Sequence, residues 1–182
     1  MNYRLTSGKI PVILLCLFVL GCAVSAFADS TRERQRLDDN WKFYLGDAAA
    51  AATAEFDDAG WHTVTLPHDW SIEGKFDAKN PMGGQGGFLP AGIGWYRLHL
   101  PAPAAWQDKK VSVEFEGVYM NAEIYLNGQK LTFHPYGYTG FNVDLTPALK
   151  PGADNVLAVR VDNSQKKTAV GIAVRAFIVM SG

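Results

Sequence analysis

Ala122-Glu123-Ile124-Tyr125-Leu126, then Asn127-Gly128, then Gln129-Lys130-Leu131-Thr132-Phe133 is the stretch on which the fold turns. Both flanking runs have strand character, and Asn-Gly between them favours a tight hairpin, because both central residues of such a turn take positive φ. Working outward, Val111-Ser112-Val113-Glu114-Phe115-Glu116 alternates strictly between apolar and polar, the pattern of a half-buried strand. Trp95 to Leu100 alternates and stops at Pro101; Gly60 to Leu66 alternates and stops at Pro67. Trp41 to Leu45, Phe141 to Leu145 and Asn155 to Val161 complete the set. Seven or so short strands separated by turns predict an all-β sandwich. Aromatic residues make up 12% of the chain, and many fall on these strands, where they can fill a two-sheet core.

Two stretches resist a strand reading. Ala48 to Ala52 has high helix propensity but no amphipathic face, so a surface loop with at most one helical turn is expected. Ser71 to Gly94 contains the glycine-rich run Pro81-Met82-Gly83-Gly84-Gln85-Gly86-Gly87-Phe88. A loop of that length is either functional or a flexible surface excursion. No Lys-Ser/Thr pair follows it and no helix starts there, which argues against a phosphate-binding loop.

The first 28 residues read as a targeting segment. Arg4 and Lys9 form a basic start, Ile10 to Ala28 is uncharged and mostly apolar, and small residues mark the exit. Ala26-Phe27-Ala28 would release a protein beginning at Asp29. Val19-Leu20-Gly21-Cys22 resembles a bacterial lipoprotein box, which would leave lipidated Cys22 as the first residue and confine the signal to residues 1–21. An uncleaved anchor is the third alternative, since the run is just long enough to span a bilayer. An exported protein, periplasmic or extracellular, is expected, with membrane contact only if Cys22 is lipidated.

Both cysteines, Cys16 and Cys22, lie in this leader, so a product starting at Asp29 has neither a disulfide framework nor a thiolate metal site. Loss of Arg4 and Lys9 with the leader moves the net charge from −1 to −3. A mildly acidic domain without a basic run is a poor nucleic-acid binder. His62, His68, His99 and His134 show no metal-ligand spacing, and no metal or cofactor is expected.

An ordered series of segments resembles the N-terminal domain of family 2 glycoside hydrolases, the β-galactosidase group. It comprises Trp61 through Leu66-Pro67-His68-Asp69-Trp70, Gly92-Ile93-Gly94-Trp95-Tyr96-Arg97, and Phe115 to Ala122. It continues through Tyr125-Leu126-Asn127-Gly128, His134 to Phe141, Asp144-Leu145-Thr146 and Asn155 to Asn163. The resemblance covers residues from about 36 to 165. It implies a jelly-roll, galactose-binding-like sandwich over residues 29–165, followed in such enzymes by an immunoglobulin-like sandwich and a (β/α)₈ barrel.

The barrel would supply two glutamates about 5 Å apart for hydrolysis with retention. It is missing from this chain, so no catalytic residue is assigned. Glu114 and Glu116 share one side of a strand, but that side is the polar face of the alternation and reads as solvated.

The resemblance also implies that loops of the jelly roll lean over the barrel mouth, which makes His68, Asp69 and Trp70 candidates for contact with a β-glycoside. A carboxylate and an imidazole can bind sugar hydroxyls, and an indole face can stack on a pyranose. The alternative is internal, with Asp69 capping a turn after Pro67 and Trp70 filling the core. Trp95, inside an alternating strand, is expected in the core. Tyr136 and Tyr138 flank Gly137 in either an exposed aromatic loop or a packing corner.

After Gln165 the resemblance stops. Family members continue with something like Asn-Ser-Arg-Trp-Tyr-Ser-Gly-Ser-Gly-Ile-Tyr-Arg, whereas this chain has Lys166-Lys167-Thr168-Ala169-Val170-Gly171-Ile172 and onward to Gly182. Taken with a one-base displacement, the codons from Thr168 onward are compatible with that motif followed by His-Val-Trp. Lys166-Lys167-Thr168 is encoded by an adenine run, the usual site of a one-base slip. Residues 166–182 are therefore expected to be an out-of-frame tail, and the sandwich to be incomplete at its C-terminal end. A natural terminal strand in Ala173 to Met180, which is apolar and β-prone, is the alternative. Three function classes follow: a truncated glycoside hydrolase, a stand-alone exported carbohydrate-binding module, and a non-functional gene product.

Overall fold

A computed structural model describes residues 32–164 and 175–181. The expected leader, with Cys22, and residues 165–174 of the tail lie outside the described residues. Ten strands occur among those described: β1 (Glu33–Arg36), β2 (Trp41–Leu45), β3 (His62–Val64), β4 (Ile93–Pro101), β5 (Lys110–Gly117), β6 (Ala122–Leu126), β7 (Gln129–His134), β8 (Phe141–Asp144), β9 (Asp154–Asp162) and β10 (Arg175–Ser181). A single α-helical turn, α1 (Trp70–Glu73), precedes the glycine-rich segment, which carries a 3₁₀ turn at Gly84–Gly86. Two antiparallel sheets result, one ordered β1-β10-β5-β8 and one ordered β3-β2-β4-β9-β6-β7, as the expected two-sheet sandwich requires.

The alternation read from sequence sets the inward faces. Val111, Val113 and Phe115 of β5 meet Phe43, Tyr96, Ile124 and Val159 of the six-stranded sheet in the main core. Burying each such side chain contributes roughly 1.5–3 kcal/mol. The Asn127-Gly128 hairpin forms as predicted, with φ of 51° and 86° and Leu126 paired with Gln129.

Strands β4 and β9 are buried on both faces, because the β2–β3 connection folds over the outside of the six-stranded sheet. Ala48 to Ala52 is therefore not a plain surface loop. It forms a 3₁₀ turn at Ala49–Ala52 and packs Ala51 and Ala52 against Trp95 and Ala158 in a second small cluster. Trp95 is buried there, on the outer face.

One strand escaped the sequence reading, and another formed where a terminal strand was only the alternative. Strand β1 (Glu-Arg-Gln-Arg) is exposed along its whole length and shows no apolar alternation. Strand β10 lies in the segment expected to leave the sandwich incomplete. Instead it occupies the interior of the four-stranded sheet, pairing with β1 on one side and β5 on the other. The physical reason is its own pattern: Ala176, Ile178 and Met180 are buried in the main core, and the Arg34 guanidinium lies 3.7 Å from the Phe177 ring on the opposite face.

Strand register sorts the connections between two ends. Leu45 pairs with Gly94, Ile93 with Asp162, Ala122 with His134, Phe115 with Phe141 and Arg175 with Gly117. The connection 74–92 enters at one end, and 46–61, 118–121 and 135–140 leave from it, which makes it the long-loop end. The other end, the turn end, carries the connections 102–109, 127–128 and 145–153.

Candidate functional site

The segment Leu66-Pro67-His68-Asp69-Trp70 runs from the turn end back toward the long-loop end. The Leu66 N–H donates to the Asp38 carbonyl at 2.7 Å and pins its start. His68 is buried, its ring edge-on to Phe43 at 4.7 Å. Its Nε2 lies 3.1 Å from Glu73 Oε1 and its Nδ1 lies 2.8 Å from the Tyr96 hydroxyl. Because the carboxylate can only accept, the network places the proton on Nε2, and Nδ1 accepts from the phenol. Burial, and then the nearby Asp69 and Glu73 charges, push the Tyr96 phenol far above its ordinary value, so it stays protonated and able to donate.

Asp69 takes an extended conformation and caps α1. Its Oδ1 accepts from the Ser71 N–H at 2.9 Å and from the Ser71 hydroxyl at 2.5 Å. Trp70 is 2% exposed, and its ring stacks on Phe43 at 5.5 Å. The ring also lies over Gly94, where an added Cβ would come within 2.8 Å of it, so glycine is what lets the indole close down on β4. The indole face is thus occupied by protein. Its Nε1–H, however, is buried with no hydrogen-bond partner among the described residues. The three candidates are adjacent; two of them point inward, and the third has one carboxylate oxygen committed to the helix turn.

Sequence reading did not single out Asn163, at the exit of β9. Its backbone N–H donates to the Gly92 carbonyl at 2.8 Å, which places it beside the entry to β4. The residue is 1% exposed, yet both its side-chain nitrogen and its side-chain oxygen lack partners among the described residues. A buried unpaired amide costs about 1–3 kcal/mol, and this end of the sandwich holds two polar groups without partners among the described residues. The neighbouring 135–140 loop resolves the alternative left open for its tyrosines. Tyr136 and Tyr138 are exposed, and Tyr138 meets buried Tyr119 edge-on at 5.3 Å. Behind them His134 stacks on Phe141 at 4.1 Å.

Glu114 lies on the polar face of β5, in ion pairs with Arg32 at 2.6 Å and Arg34 at 2.9 Å. Glu116, on the same face, is exposed. Among the described residues no group of three or more His, Cys, Asp or Glu side chains is arranged to hold a metal ion, and no helix is long and apolar enough to cross a membrane.

The sequence profile of the sugar-binding domain of glycosyl hydrolases family 2 matches residues 34–182. The chain belongs to that family. A β-galactosidase of Bacteroides ovatus is 48% identical over 147 residues, which is 81% of this chain but 17% of that enzyme. A putative β-glucuronidase of Formosa agariphila is 36% identical over 156 residues, 86% of this chain and 15% of that protein. The crystal structure of a β-glycosidase from Bacteroides vulgatus superposes with a TM-score of 0.76 at 40% identity, covering 81% of this chain and 20% of that one. The chain therefore spans a small part of its relatives' length, and it matches their sugar-binding sandwich. In a sugar-binding domain, the unpaired Trp70 and Asn163 atoms are groups that sugar hydroxyls can satisfy.

Proposed function

We propose that this domain is the N-terminal sugar-binding part of an exported β-galactosidase, and that it contacts the glycoside while a barrel outside this chain performs hydrolysis. The observation that carries the reading is the concentration of unpaired buried polar atoms and exposed aromatic rings at one end of a sandwich of this family. The identity to the Bacteroides ovatus β-galactosidase, higher than that to the putative β-glucuronidase named alongside it, favours a galactoside. Export follows from the leader pattern, by release at Asp29 or by lipidation of Cys22. Asp69 belongs to the same end through α1, and its carboxylate keeps acceptor capacity beyond the Ser71 contacts.

The tail bears on the parent gene. Residues 166–182 are proposed to be a displaced reading of codons that once specified the Trp-Tyr-Ser-Gly-Ser-Gly segment. Resequencing the locus tests this: restoring the frame near Lys167 should open a reading frame through a second sandwich and a barrel, and the repaired product should hydrolyse β-galactosides. The chain as it stands should show no turnover of nitrophenyl β-galactoside, since no retaining carboxylate pair is expected in it. An intact frame with a stop directly after Gly182 and no barrel beyond would overturn this account. One observation favours the second reading, a stand-alone sugar binder: β10 fills the interior of the four-stranded sheet with residues of the tail itself.

A further inference from the structure

The connection 135–140 between β7 and β8 holds two tyrosine rings out in solvent, Tyr136 at 56% and Tyr138 at 59% exposure. Its backbone is nonetheless fastened along its length. The Asn121 N–H donates to the Pro135 carbonyl at 3.3 Å. Gly137 lies so close to buried Tyr119 that an added Cβ would come within 2.0 Å of that ring. Gly140 sits on β5, where an added Cβ would come within 3.0 Å of the Phe115 carbonyl oxygen. Between these contacts Tyr138 meets Tyr119 edge-on, and the Thr139 hydroxyl lies 3.3 Å from His134 Nε2. The two exposed rings are thus presented by a loop with little freedom left to lose. Their centroids are 5.6 Å apart and their planes are tilted by 58°. A ring inserted between two others needs about 7–8 Å, twice the usual carbon–carbon contact distance. Nothing can stack between them, so the pair forms one bent aromatic surface that carries two hydroxyl groups.

We propose that Tyr136 and Tyr138 are a stacking platform for one galactopyranose ring. The proposal rests on the sugar-binding reading and adds a location, a mode of contact and a sugar preference to it. Size favours a sugar over a protein partner. Two half-exposed tyrosines offer roughly 250 Å² between them, against about 800 Å² per partner in a standard protein interface. Chemistry favours a neutral ring, because the 135–140 loop contains no charged residue. In a galactopyranose the C4 hydroxyl is axial, so the hydrogens on C3, C4 and C5 share one face, and that apolar face is what an aromatic surface covers. In the glucose epimer the C4 hydroxyl is equatorial and the C–H groups divide between the two faces. The phenol groups can donate to, and accept from, hydroxyls around the sugar rim. The fastened loop contributes preorganisation, since rigid rings lose little entropy when a ligand settles on them.

The test is an NMR titration of the full chain, labelled in its backbone and in its seven tyrosine rings, with methyl β-galactoside and, separately, methyl β-glucoside. The Tyr136 and Tyr138 ring signals are assigned by their loss in Tyr136→Phe and Tyr138→Phe. Both should move saturably with the galactoside and bind the glucoside more weakly; equal binding of the two sugars would overturn the galactose assignment. Tyr136→Ala and Tyr138→Ala, at exposed side chains that leave the melting temperature nearly unchanged, should each weaken galactoside binding about tenfold. The phenylalanine variants keep the stacking surface and should retain most of the affinity, which a role confined to the hydroxyls would not allow. If the galactoside moves signals elsewhere in the sandwich and leaves both rings still, the platform is wrong and the sugar-binding reading stands. If neither sugar moves any signal, both fail. If the ring signals respond only to protein concentration, and the alanine variants abolish a dimer in sedimentation velocity, the surface joins two copies of the chain and the proposal is overturned.

Discussion

Two polar clusters are buried in this sandwich, and they are built on opposite principles. On the outer face of the six-stranded sheet, Arg97 of β4 is fully buried and makes four hydrogen bonds: to Asp58 Oδ2 at 2.7 Å, and to the carbonyls of Ala51, Thr53 and Phe56. His99 adds a second partner to Asp58 at 3.0 Å. Each buried charge there is matched, and the cluster ties the whole β2–β3 connection to the sheet. At the long-loop end, by contrast, Trp70 and Asn163 are as deeply buried but leave three polar atoms unmet among the described residues. A paired cluster stabilises; an unpaired one costs stability and persists where something else completes it. The difference separates a paired clamp from a region whose buried polar atoms are unmet among the described residues.

The largest expected effect comes from breaking the clamp. Arg97→Met should cost about 3–5 kcal/mol, because it strands the Asp58 carboxylate and three carbonyls; chemical denaturation measures this. The same cluster sets acid sensitivity. Burial pushes the Asp58 carboxyl up, but the Arg97 and His99 contacts outweigh it and hold it below the usual carboxylate range. Its contribution is then full above the unfolded value of about 3.9 and is lost as pH falls through the lower folded value. Asp58→Asn should flatten that part of the pH–stability curve, and an unchanged acid limb would show that the clamp does not govern it.

Smaller effects probe the other region. Gly94→Ala puts a methyl group against the Trp70 ring and should cost about 1–3 kcal/mol by overpacking. Asp69→Ala removes the cap of α1 and should cost about 1 kcal/mol. The smallest change is the sharpest test of the comparison. Asn163→Leu should lie within about 1 kcal/mol of wild type, or stabilise, since the amide it removes makes no hydrogen bond among the described residues. A loss above about 2 kcal/mol in thermal or chemical melts would mean that Asn163 is as well paired as Arg97.

Much of the architecture was legible because its causes are local. The alternation of Val111, Val113 and Phe115 states which face is buried, and Asn127-Gly128 states where the chain reverses, since few other pairs tolerate two positive φ angles. The candidate site was only half legible. Leu66 to Trp70 was singled out as a segment, but whether its side chains face sugar or core depends on what they meet. Phe43, Gly94 and Tyr96 are distant in sequence and arrive only through sheet pairing. Asn163 could not be singled out, because an asparagine after a strand looks the same whether its amide is satisfied or not.

What this protein's sequence determined by itself is the class of its elements: short alternating strands, a tight hairpin, and a glycine-rich segment that could be neither strand nor helix. Only the tertiary structure decided that β10 enters between β1 and β5 and that Arg97 goes inside on the outer face. It also decided that Trp70 turns its ring inward and leaves its N–H unmet. The reason is physical: strand formation is encoded over two to eight neighbouring residues, whereas the cost of burying a charge or a donor depends on partners 39 or more positions away, as with Arg97 and Asp58.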